Sequence, residues 1–332
     1  MLRRGMEARQ FNFIKREACP ACRSENVTTR FRSSFDGPPI GDFISKYYKV
    51  SPALLSRGVY RLDQCRRCAT IYQAEVGDRE LLMTIYVDWV LHTDQPEADA
   101  NYAYDMAYPK KSRDGHEIMA AAAYLNMAVE DLRTLDYGMG WAGWGRVAAA
   151  LGSQSFGSDI APDRMAFAKA NGVTPLRDEE IGEDRFHFIN TEQVMEHMTE
   201  PAEVTQRLAL ALRPGGILKM SVPSQGRTEE LLGRIEKGQY RVSYDEVMPI
   251  QPLEHVNSFT IAGLVAMGRR FGLTLVKPKL IDRYAFLKVS GGLDFTNPRR
   301  LAKELVRPWY QYRNPRNLYV WLRRPVLGRG DG

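Results

Sequence analysis

The chain has 332 residues, more than a typical single domain of about 100–200 residues, so we expect two structural units. Hydrophobic residues make up 44% of it and charged residues 26%, both ordinary for a globular protein. No apolar run reaches the roughly 18 residues of a transmembrane helix. The first residues carry charge but neither an apolar stretch nor a small-residue cleavage site, so we expect no secretory signal and a cytoplasmic location.

The four cysteines form two Cys-x-x-Cys pairs, Cys19/Cys22 and Cys65/Cys68. Two intervening residues let both thiolates of a tight turn contact one ion, and two such turns complete a tetrahedral zinc site. Four thiolates fill the coordination sphere, so we expect a structural zinc in a zinc-ribbon-like module over residues 1–88. Redox-active pairs are the competing interpretation, but neither pair lies in a thioredoxin-like βαβ pattern. Nearby basic residues also leave nucleic-acid binding by this module open.

The rest of the chain alternates between helical and extended patterns after a polar, tyrosine-rich linker or lid over residues 89–114. Such alternation predicts a doubly wound α/β domain over residues 115–332, with a Rossmann-like, mostly parallel seven-stranded sheet. A basic, aromatic insertion at about 291–317 precedes the seventh strand, which we expect to be antiparallel. The predicted helices span 116–128, 145–152, 162–172 and 201–212, and the predicted strands span 132–138, 153–159, 185–191, 217–223, 270–278 and 317–325.

A glycine-rich loop follows the first strand of this domain. Gly138, Gly140 and Gly143 stand where the chain opens a helix, and glycines there let the backbone approach a ligand closely. Asp159 ends the next strand, where a carboxylate can accept both hydroxyls of an adenosine ribose. The same pattern matches the dinucleotide fingerprint, so an NAD(P)-dependent oxidoreductase stays open on these residues alone.

The glycine-rich loop and Asp159 belong to a series of five segments: LDYGMGWAG, FGSDIAPDRMAFAKANG, INTEQVMEHMTEP, LRPGGILKMSVPS and PLEHVNSFT. In this order they resemble the motifs of class I S-adenosylmethionine-dependent methyltransferases, over about residues 115–290. The last segment is similar to one in a branch that often carries an N-terminal four-cysteine module and includes sugar C- and O-methyltransferases. Ala142 departs from the family pattern because it stands where the third glycine of the loop is expected.

The resemblance implies a cofactor, S-adenosylmethionine, and a set of residues that bind it. Beside the glycines and Asp159, it implies that Asp136 and Glu192 serve the cofactor and that the acidic loop at Asp178 contacts the adenine amino group. It also implies methyl transfer to a small-molecule or glycan acceptor, such as a nucleotide sugar or a polysaccharide unit. Methylation of RNA gripped by the zinc module, and a catalytically silent scaffold, are the alternatives.

A hydroxyl or carbon acceptor needs a base near the proton that it loses. His197 and His255 lie in loops that we expect at the carboxyl edge of the sheet, so both are predicted base candidates. Glu192 is the third predicted catalytic residue. The alternative for each histidine is a structural role, in which it holds a loop against the sheet.

The end of the chain is strongly basic. From Arg299 onward it carries nine basic and two acidic residues, a net charge of +7, whereas the rest of the chain sums to −1. Trp309 and other aromatic residues are interleaved with these charges. We expect this segment to contact an anionic partner, which could be the substrate, a membrane surface or a nucleic acid; a solvated surface is the alternative. The pattern predicts no particular oligomeric state.

Overall fold

The computed structural model describes residues 10–90, 100–239, 247–313 and 316–326, apart from the side chain of Tyr312. Residues 91–99 of the predicted linker, and Arg329 of the basic segment, lie outside this part of the chain. Within the described residues, every helix is too short or too polar to cross a bilayer.

The N-terminal part consists of short strands and helices around an aromatic core. Strand β3 alternates buried residues such as Tyr60 and Leu62 with more exposed ones, the period of a strand that has one face on the core. Phe35 and Trp89 are buried in the same core. The elements are β1 (Phe13–Lys15), β2 (Val27–Ser34), α1 (Ile40–Tyr47), β3 (Val59–Cys65), β4 (Ile71–Gln73), β5 (Glu75–Gly77) and α2 (Arg79–Thr84), which continues into a π-helical turn (Ile85–Trp89).

The remainder of the chain alternates strands and helices, as its periodicity predicts. Its elements are α3 (Ala100–Ala107), α4 (Arg113–Leu125), β6 (Arg133–Tyr137), α5 (Gly143–Ala150), β7 (Gln154–Ser158), α6 (Pro162–Ala170), β8 (Thr174–Pro175), β9 (Phe186–Glu192), α7 (Pro201–Ala211), β10 (Leu212–Pro223), α8 (Gln225–Glu236), β11 (Asn257–Ser258), α9 (Ile261–Arg269), β12 (Thr274–Val276), α10 (Leu280–Arg283), α11 (Pro298–Tyr310) and β13 (Asn317–Arg323).

Seven strands form one sheet in the order β12-β13-β10-β9-β6-β7-β8. Only β13 runs antiparallel to its neighbours β10 and β12, which confirms the predicted mostly parallel sheet with an antiparallel seventh strand. Leu135 in β6 and Ile189 in β9 are fully buried, because helices cover both faces of the sheet. The chain leaves β6 toward β7 and β8 and returns to β9, so the order reverses between β6 and β9, where ligands of such sheets bind.

The N-terminal module shares a sheet with a late segment of the chain. Strand β11 pairs antiparallel with β4, and this adds a fourth strand to the sheet of β2, β3 and β4. The buried Arg16 guanidinium donates hydrogen bonds to the Gln73 carbonyl (2.9 Å), the Val256 carbonyl (2.8 Å) and Asn257 Oδ1 (2.8 Å). No sequence pattern predicts this pairing, and the predicted division into residues 1–88, 89–114 and 115–332 stays a prediction.

The described part of the predicted linker contains helix α3, which packs over the glycine loop. The Tyr102 hydroxyl donates to the Trp141 carbonyl at 3.4 Å. A Cβ placed on Gly143 would lie 3.4 Å from the Tyr102 ring, so α3 is in van der Waals contact with the start of α5. The role of residues 89–114 as a linker or lid stays a prediction.

Replacing the Arg16 side chain tests how strongly the junction between module and sheet stabilises the chain. Arg16→Met leaves several buried carbonyl and amide oxygens without their donor, so we expect the free energy of unfolding to fall by about 2–4 kcal/mol. Urea denaturation measures this change. The control is Arg57→Met, because among the described residues the exposed Arg57 side chain bonds Gln10 and Asn12 alone (2.9 Å each), and its loss should cost less than about 1 kcal/mol. Equal losses in both variants would contradict the account of the junction.

Candidate active site

The loop between β6 and α5 is shaped to approach a ligand with its backbone. Gly138 and Gly140 have positive φ angles of 71° and 53°, which favour glycine. Ala142 also adopts the left-handed conformation, with φ of 55°, so it takes the geometry that the missing third glycine would take. A Cβ on Gly138 would lie 2.5 Å from Cγ2 of Val194, so the loop after β9 packs directly against the glycine loop.

Asp159 lies at the carboxyl end of β7 and faces the glycine loop. Its carboxylate accepts hydrogen bonds from the backbone N–H groups of Gly140 (2.9 Å) and Ala161 (3.0 Å). Ile160 follows it and is 65% exposed, an apolar side chain at the mouth of the site. A carboxylate at the end of this strand, next to an exposed apolar side chain, suits the ribose and base of a nucleoside.

Two of the other three predicted cofactor acids, Asp136 and Asp178, occupy different environments. Asp136 is buried behind the loop and accepts a hydrogen bond from Asn190 Nδ2 (2.8 Å), and burial raises the pKa of Asp136 to about 7. Asp178 is half-exposed and accepts from Arg207 (2.8 Å) and from the Tyr137 hydroxyl (3.1 Å). Asp136 therefore supports the loop from behind, whereas Asp178 stands at the edge of the sheet where a ligand can reach it.

Glu192, at the end of β9, belongs to a buried cluster of charges. It pairs with the ammonium of Lys219, which also contacts Glu117 at 2.9 Å, and with the Arg113 guanidinium at 3.4 Å. Burial favours the neutral carboxyl, but Lys219 and Arg113 outweigh it and lower the pKa of Glu192. A carboxylate held in this way is suited to accept hydrogen bonds from a ligand and is a weak proton acceptor.

The two predicted base candidates, His197 and His255, are in contact. The rings of His197 and His255 lie 4.6 Å apart between centroids and are nearly perpendicular. Burial lowers the pKa of His197 to about 3 and that of His255 to about 4, so both imidazoles are neutral near pH 7. Nδ1 of His255 is buried and has no hydrogen-bond partner among the described residues. This nitrogen can accept a hydrogen bond from a ligand.

A carboxyl group and a phenol complete this cluster. Glu196 is 1% exposed, neither of its oxygens has a partner in the part of the chain that the structure describes, and burial raises its pKa to about 8. Its oxygens lie within 4.8 Å of the ring nitrogens of His197 and His255, so the three groups could exchange a proton or hold a metal ion. The Tyr86 hydroxyl lies 3.1 Å from Nδ1 of His197 and fixes its ring.

Side-chain hydrogen bonds from Gln73 of the N-terminal module and from Asn257 of β11 hold the backbone near both histidines. Gln73 Nε2 in β4 donates to the carbonyls of Gln251 (2.8 Å) and His255 (3.1 Å). Asn257 Nδ2 donates to the carbonyls of Met195 (3.1 Å) and Met198 (2.7 Å), which flank His197. The pairing of β4 with β11 thus brings the His255 segment against the loop that follows β9.

The four cysteines form a separate cluster. The Sγ atoms of Cys19 and Cys68 are 3.6 Å apart and those of Cys22 and Cys65 are 3.5 Å apart, and all four lie within 4.8 Å of one another. These separations exceed a disulfide bond of about 2.05 Å and approach the roughly 3.8 Å edge of a tetrahedron with Zn–S bonds of about 2.3 Å. The chemistry and spacing of this donor set fit one zinc ion.

The fold and the glycine-rich loop are those of a Rossmann-like, nucleoside-binding class of protein. The comparisons with known proteins identify the family within this class. Residues 103–277 match the family described as a methyltransferase domain, so the chain belongs to that family. It is an S-adenosylmethionine-dependent methyltransferase. No curated protein gives a significant match.

Solved structures with a similar fold share little sequence with this chain. A protein of Galdieria sulphuraria, assigned as a sarcosine dimethylglycine methyltransferase, has 17% identity and a TM-score of 0.39, over 64% of this chain and 85% of that one. An S-adenosylmethionine-dependent methyltransferase of Mesorhizobium loti has 19% identity and a TM-score of 0.39, over 62% and 96%. A protein of Bacillus halodurans assigned as a methyltransferase has 15% identity and a TM-score of 0.40, over 62% and 98%.

Sequence reasoning missed several residues that shape the site. Lys219 offered a signal, because a lysine within an otherwise apolar buried strand is expected to have a charged partner. Glu117 and Tyr86 offered none, since each lies on a helical segment far in sequence from the side chain that it contacts. In the sequence Ile160 is one apolar residue after Asp159, and nothing there predicts that its side chain is exposed, because the exposure depends on the fold.

Replacing Asp159 tests the assignment of the cofactor site. If two ribose hydroxyls lose their charged acceptor, Asp159→Ala should weaken binding of S-adenosylhomocysteine by on the order of 1–3 kcal/mol in titration calorimetry. The control is Asp163→Ala, an exposed carboxylate in the first turn of α6. Unchanged affinity in Asp159→Ala, or an equal loss in the control, would remove Asp159 from the ribose role.

Proposed function

We propose that this methyltransferase transfers a methyl group to a small-molecule or glycan acceptor, with the His197–His255 pair taking the acceptor's proton. The observation that carries this proposal is the pair itself: two partly exposed, neutral imidazoles in contact, one with a buried Nδ1 that has no hydrogen-bond partner among the described residues. Val194, which packs on Gly138, precedes His197 by three residues, so the pair adjoins the glycine loop. A cofactor in that loop and an acceptor at the pair would be neighbours.

Each group in the site has a task in such a transfer. Bound S-adenosylmethionine supplies a methyl group on a positively charged sulfur, which is already activated, so the protein mainly orients the reactants and excludes water. Asp159 would hold the ribose, Gly138 and Gly140 would admit the cofactor to the backbone, and Asp178 would receive the adenine amino group. Nδ1 of His255 would accept the proton of a hydroxyl or acidic carbon as the new bond forms.

The charge beside the site favours an anionic acceptor such as a nucleotide sugar. Arg113 is exposed and contacts Glu192 at the carboxyl end of β9, so a guanidinium lies at the edge of the proposed acceptor site. Guanidinium groups match phosphate in shape and charge, and a nucleotide sugar carries a diphosphate next to its sugar. The resemblance to the sugar methyltransferase branch points the same way.

A structural zinc ion at Cys19, Cys22, Cys65 and Cys68 is the second part of the proposal. Four thiolates leave no open coordination position, so the ion would stabilise the fold without taking part in the reaction. Cys65 ends β3 and Cys68 precedes β4, the strand that carries Gln73. Zinc at this turn would therefore fix the strand that positions His255.

Replacing His255 tests the proposed base. His255→Gln keeps a polar side chain but removes the proton acceptor, so we expect the transfer rate to fall by about 10²–10⁴-fold on the acceptor that a panel of nucleotide sugars identifies. Cofactor affinity should not change, because His255 contacts the acceptor side. In the unaltered enzyme, burial lowers the pKa of His255 to about 4, so the imidazole should stay unprotonated and activity should persist down to about pH 5.

The matched control is His187→Gln, because His187 lies at the opposite end of β9 and accepts a hydrogen bond from the Arg133 N–H at 3.0 Å. It should keep its rate. An unchanged rate in His255→Gln would return that histidine to a structural role. Activity on RNA that falls steeply with added salt, together with no activity on the sugar panel, would replace the glycan acceptor by a nucleic acid.

Metal analysis tests the zinc site. The purified chain should contain one zinc per chain, and Cys65→Ser should lose it and unfold at a lower temperature. Arg67→Ser, an exposed change within the same turn, should keep both the zinc and the stability. Absence of zinc from the unaltered protein would contradict the proposal, and retention of the ion in Cys65→Ser would assign it to another site, such as Glu196, His197 and His255.

A further inference from the structure

Helix α11 presents apolar side chains to solvent and buries charged ones. Glu304 and Pro308 are its buried residues, and Glu304 pairs with Arg307 at 2.7 Å. On the outer face Val306 is 55% exposed and Trp309 is 60% exposed. A surface helix of a globular protein ordinarily has the reverse arrangement, with its apolar stripe on the core. The outer face of α11 is therefore built for contact with something apolar.

The exposed apolar surface extends beyond α11. Eight of the 17 exposed large hydrophobic side chains among the described residues lie between residues 280 and 310, so they are concentrated in less than a tenth of the chain. Phe295 is 76% exposed and Ile281 is 61% exposed. Scattered single exposures need no explanation, but Leu305, Val306, Trp309 and Tyr310 are neighbours on one helix, and such a group marks an interaction surface. We call it the α11 patch; it consists of Leu280, Ile281, Leu287, Phe295, Leu305, Val306, Trp309 and Tyr310.

Basic side chains accompany the apolar ones on the outer face. Arg299 and Lys303 are one helical turn apart and both are exposed, as is Lys288 on the segment before α11. Arg313 lies over the Trp309 ring at 5.3 Å. The negative side chains nearby are turned inward: Glu304 contacts His116 and Arg307, and Asp294 accepts from the Tyr104 hydroxyl at 2.9 Å. The α11 patch therefore presents apolar groups with positive charge and little negative charge.

We propose that the α11 patch docks the enzyme on an anionic membrane surface. An interfacial helix needs aromatic and aliphatic side chains beside lysine and arginine on one exposed face. The apolar groups enter the headgroup region of the bilayer, and the cations contact anionic lipids. A second copy of the chain is a poorer occupant, because a two-fold contact of this face would enclose the cations of both copies with little negative charge to pair them. A nucleic acid would leave Val306 and Leu305 without apolar partners.

The α11 patch lies close to the helix that contacts the glycine loop, so docking on a membrane would affect the proposed cofactor site. Tyr104 of α3 stacks under the Arg300 guanidinium at 3.4 Å, while Tyr102 of the same helix contacts the glycine loop. Docking would thus hold the covered side of the proposed cofactor site close to the bilayer.

Sedimentation of the full chain with lipid vesicles tests this proposal. We expect binding to vesicles of phosphatidylcholine mixed with phosphatidylglycerol, at least about 10-fold weaker binding to phosphatidylcholine alone, and weakening by salt. The double variant Val306→Ser with Trp309→Ser should lose about 10-fold or more of the affinity, and Arg299→Glu with Lys303→Glu should lose the preference for anionic lipid. S-adenosylhomocysteine binding should persist in both double variants and so report that they fold.

The control is Leu210→Ser, which changes a side chain of α7 that is 44% exposed and lies outside the patch. It should bind vesicles as the unaltered protein does. Failure of the unaltered protein to sediment with anionic vesicles, or an equal loss in the control, would overturn the proposal. Two other results would also overturn the proposal. A dimer in solution that dissociates in the variant Val306→Ser with Trp309→Ser would assign the patch to a second copy of the chain, and binding of RNA in place of vesicles would assign it to a nucleic acid.

Discussion

A buried guanidinium, that of Arg16, joins three parts of the chain that are far apart in sequence. It donates to the Gln73 carbonyl in β4, to Val256 and Asn257 beside β11, and to the Thr199 carbonyl (3.2 Å) in the loop after β9. Burial lowers the pKa of Arg16 to about 10, so the group still carries its charge at neutral pH. A buried charge is tolerated only when its hydrogen bonds are complete, so the backbone oxygens around Arg16 have little freedom to move.

That constraint explains how the N-terminal module contacts the proposed reaction site. Besides the Gln73 carbonyl, the oxygens that Arg16 binds lie on the two segments that carry His197 and His255, and Asn257 adds hydrogen bonds to the His197 loop. The module also supplies Gln73 behind His255 and Tyr86 against His197. In the proposed mechanism the zinc ion would hold the turn before β4, so its loss would reach the acceptor site through the backbone.

The sequence predicted the sheet and the two cysteine pairs well, because both depend on local patterns. Strand periodicity, the glycine loop after β6 and the Cys-x-x-Cys spacing can each be read within a dozen residues. The same reasoning could not give the pairing of β4 with β11 or the contacts of Arg16, since their partners are up to 241 positions away. Sequence reasoning also proposed Glu192 as a catalytic residue but did not identify its buried partner Lys219. The two residues lie on the neighbouring strands β9 and β10, and their contact depends on the register of the sheet.

A crystal structure of the chain with S-adenosylhomocysteine tests most directly whether the cofactor and the histidine pair form one site. The account predicts that the ribose hydroxyls contact Asp159, that the thioether chain follows the glycine loop past Gly138, and that the sulfur is open toward His197 and His255. A sulfur that faces away from the two histidines, or a nucleoside bound away from Asp159, would contradict it.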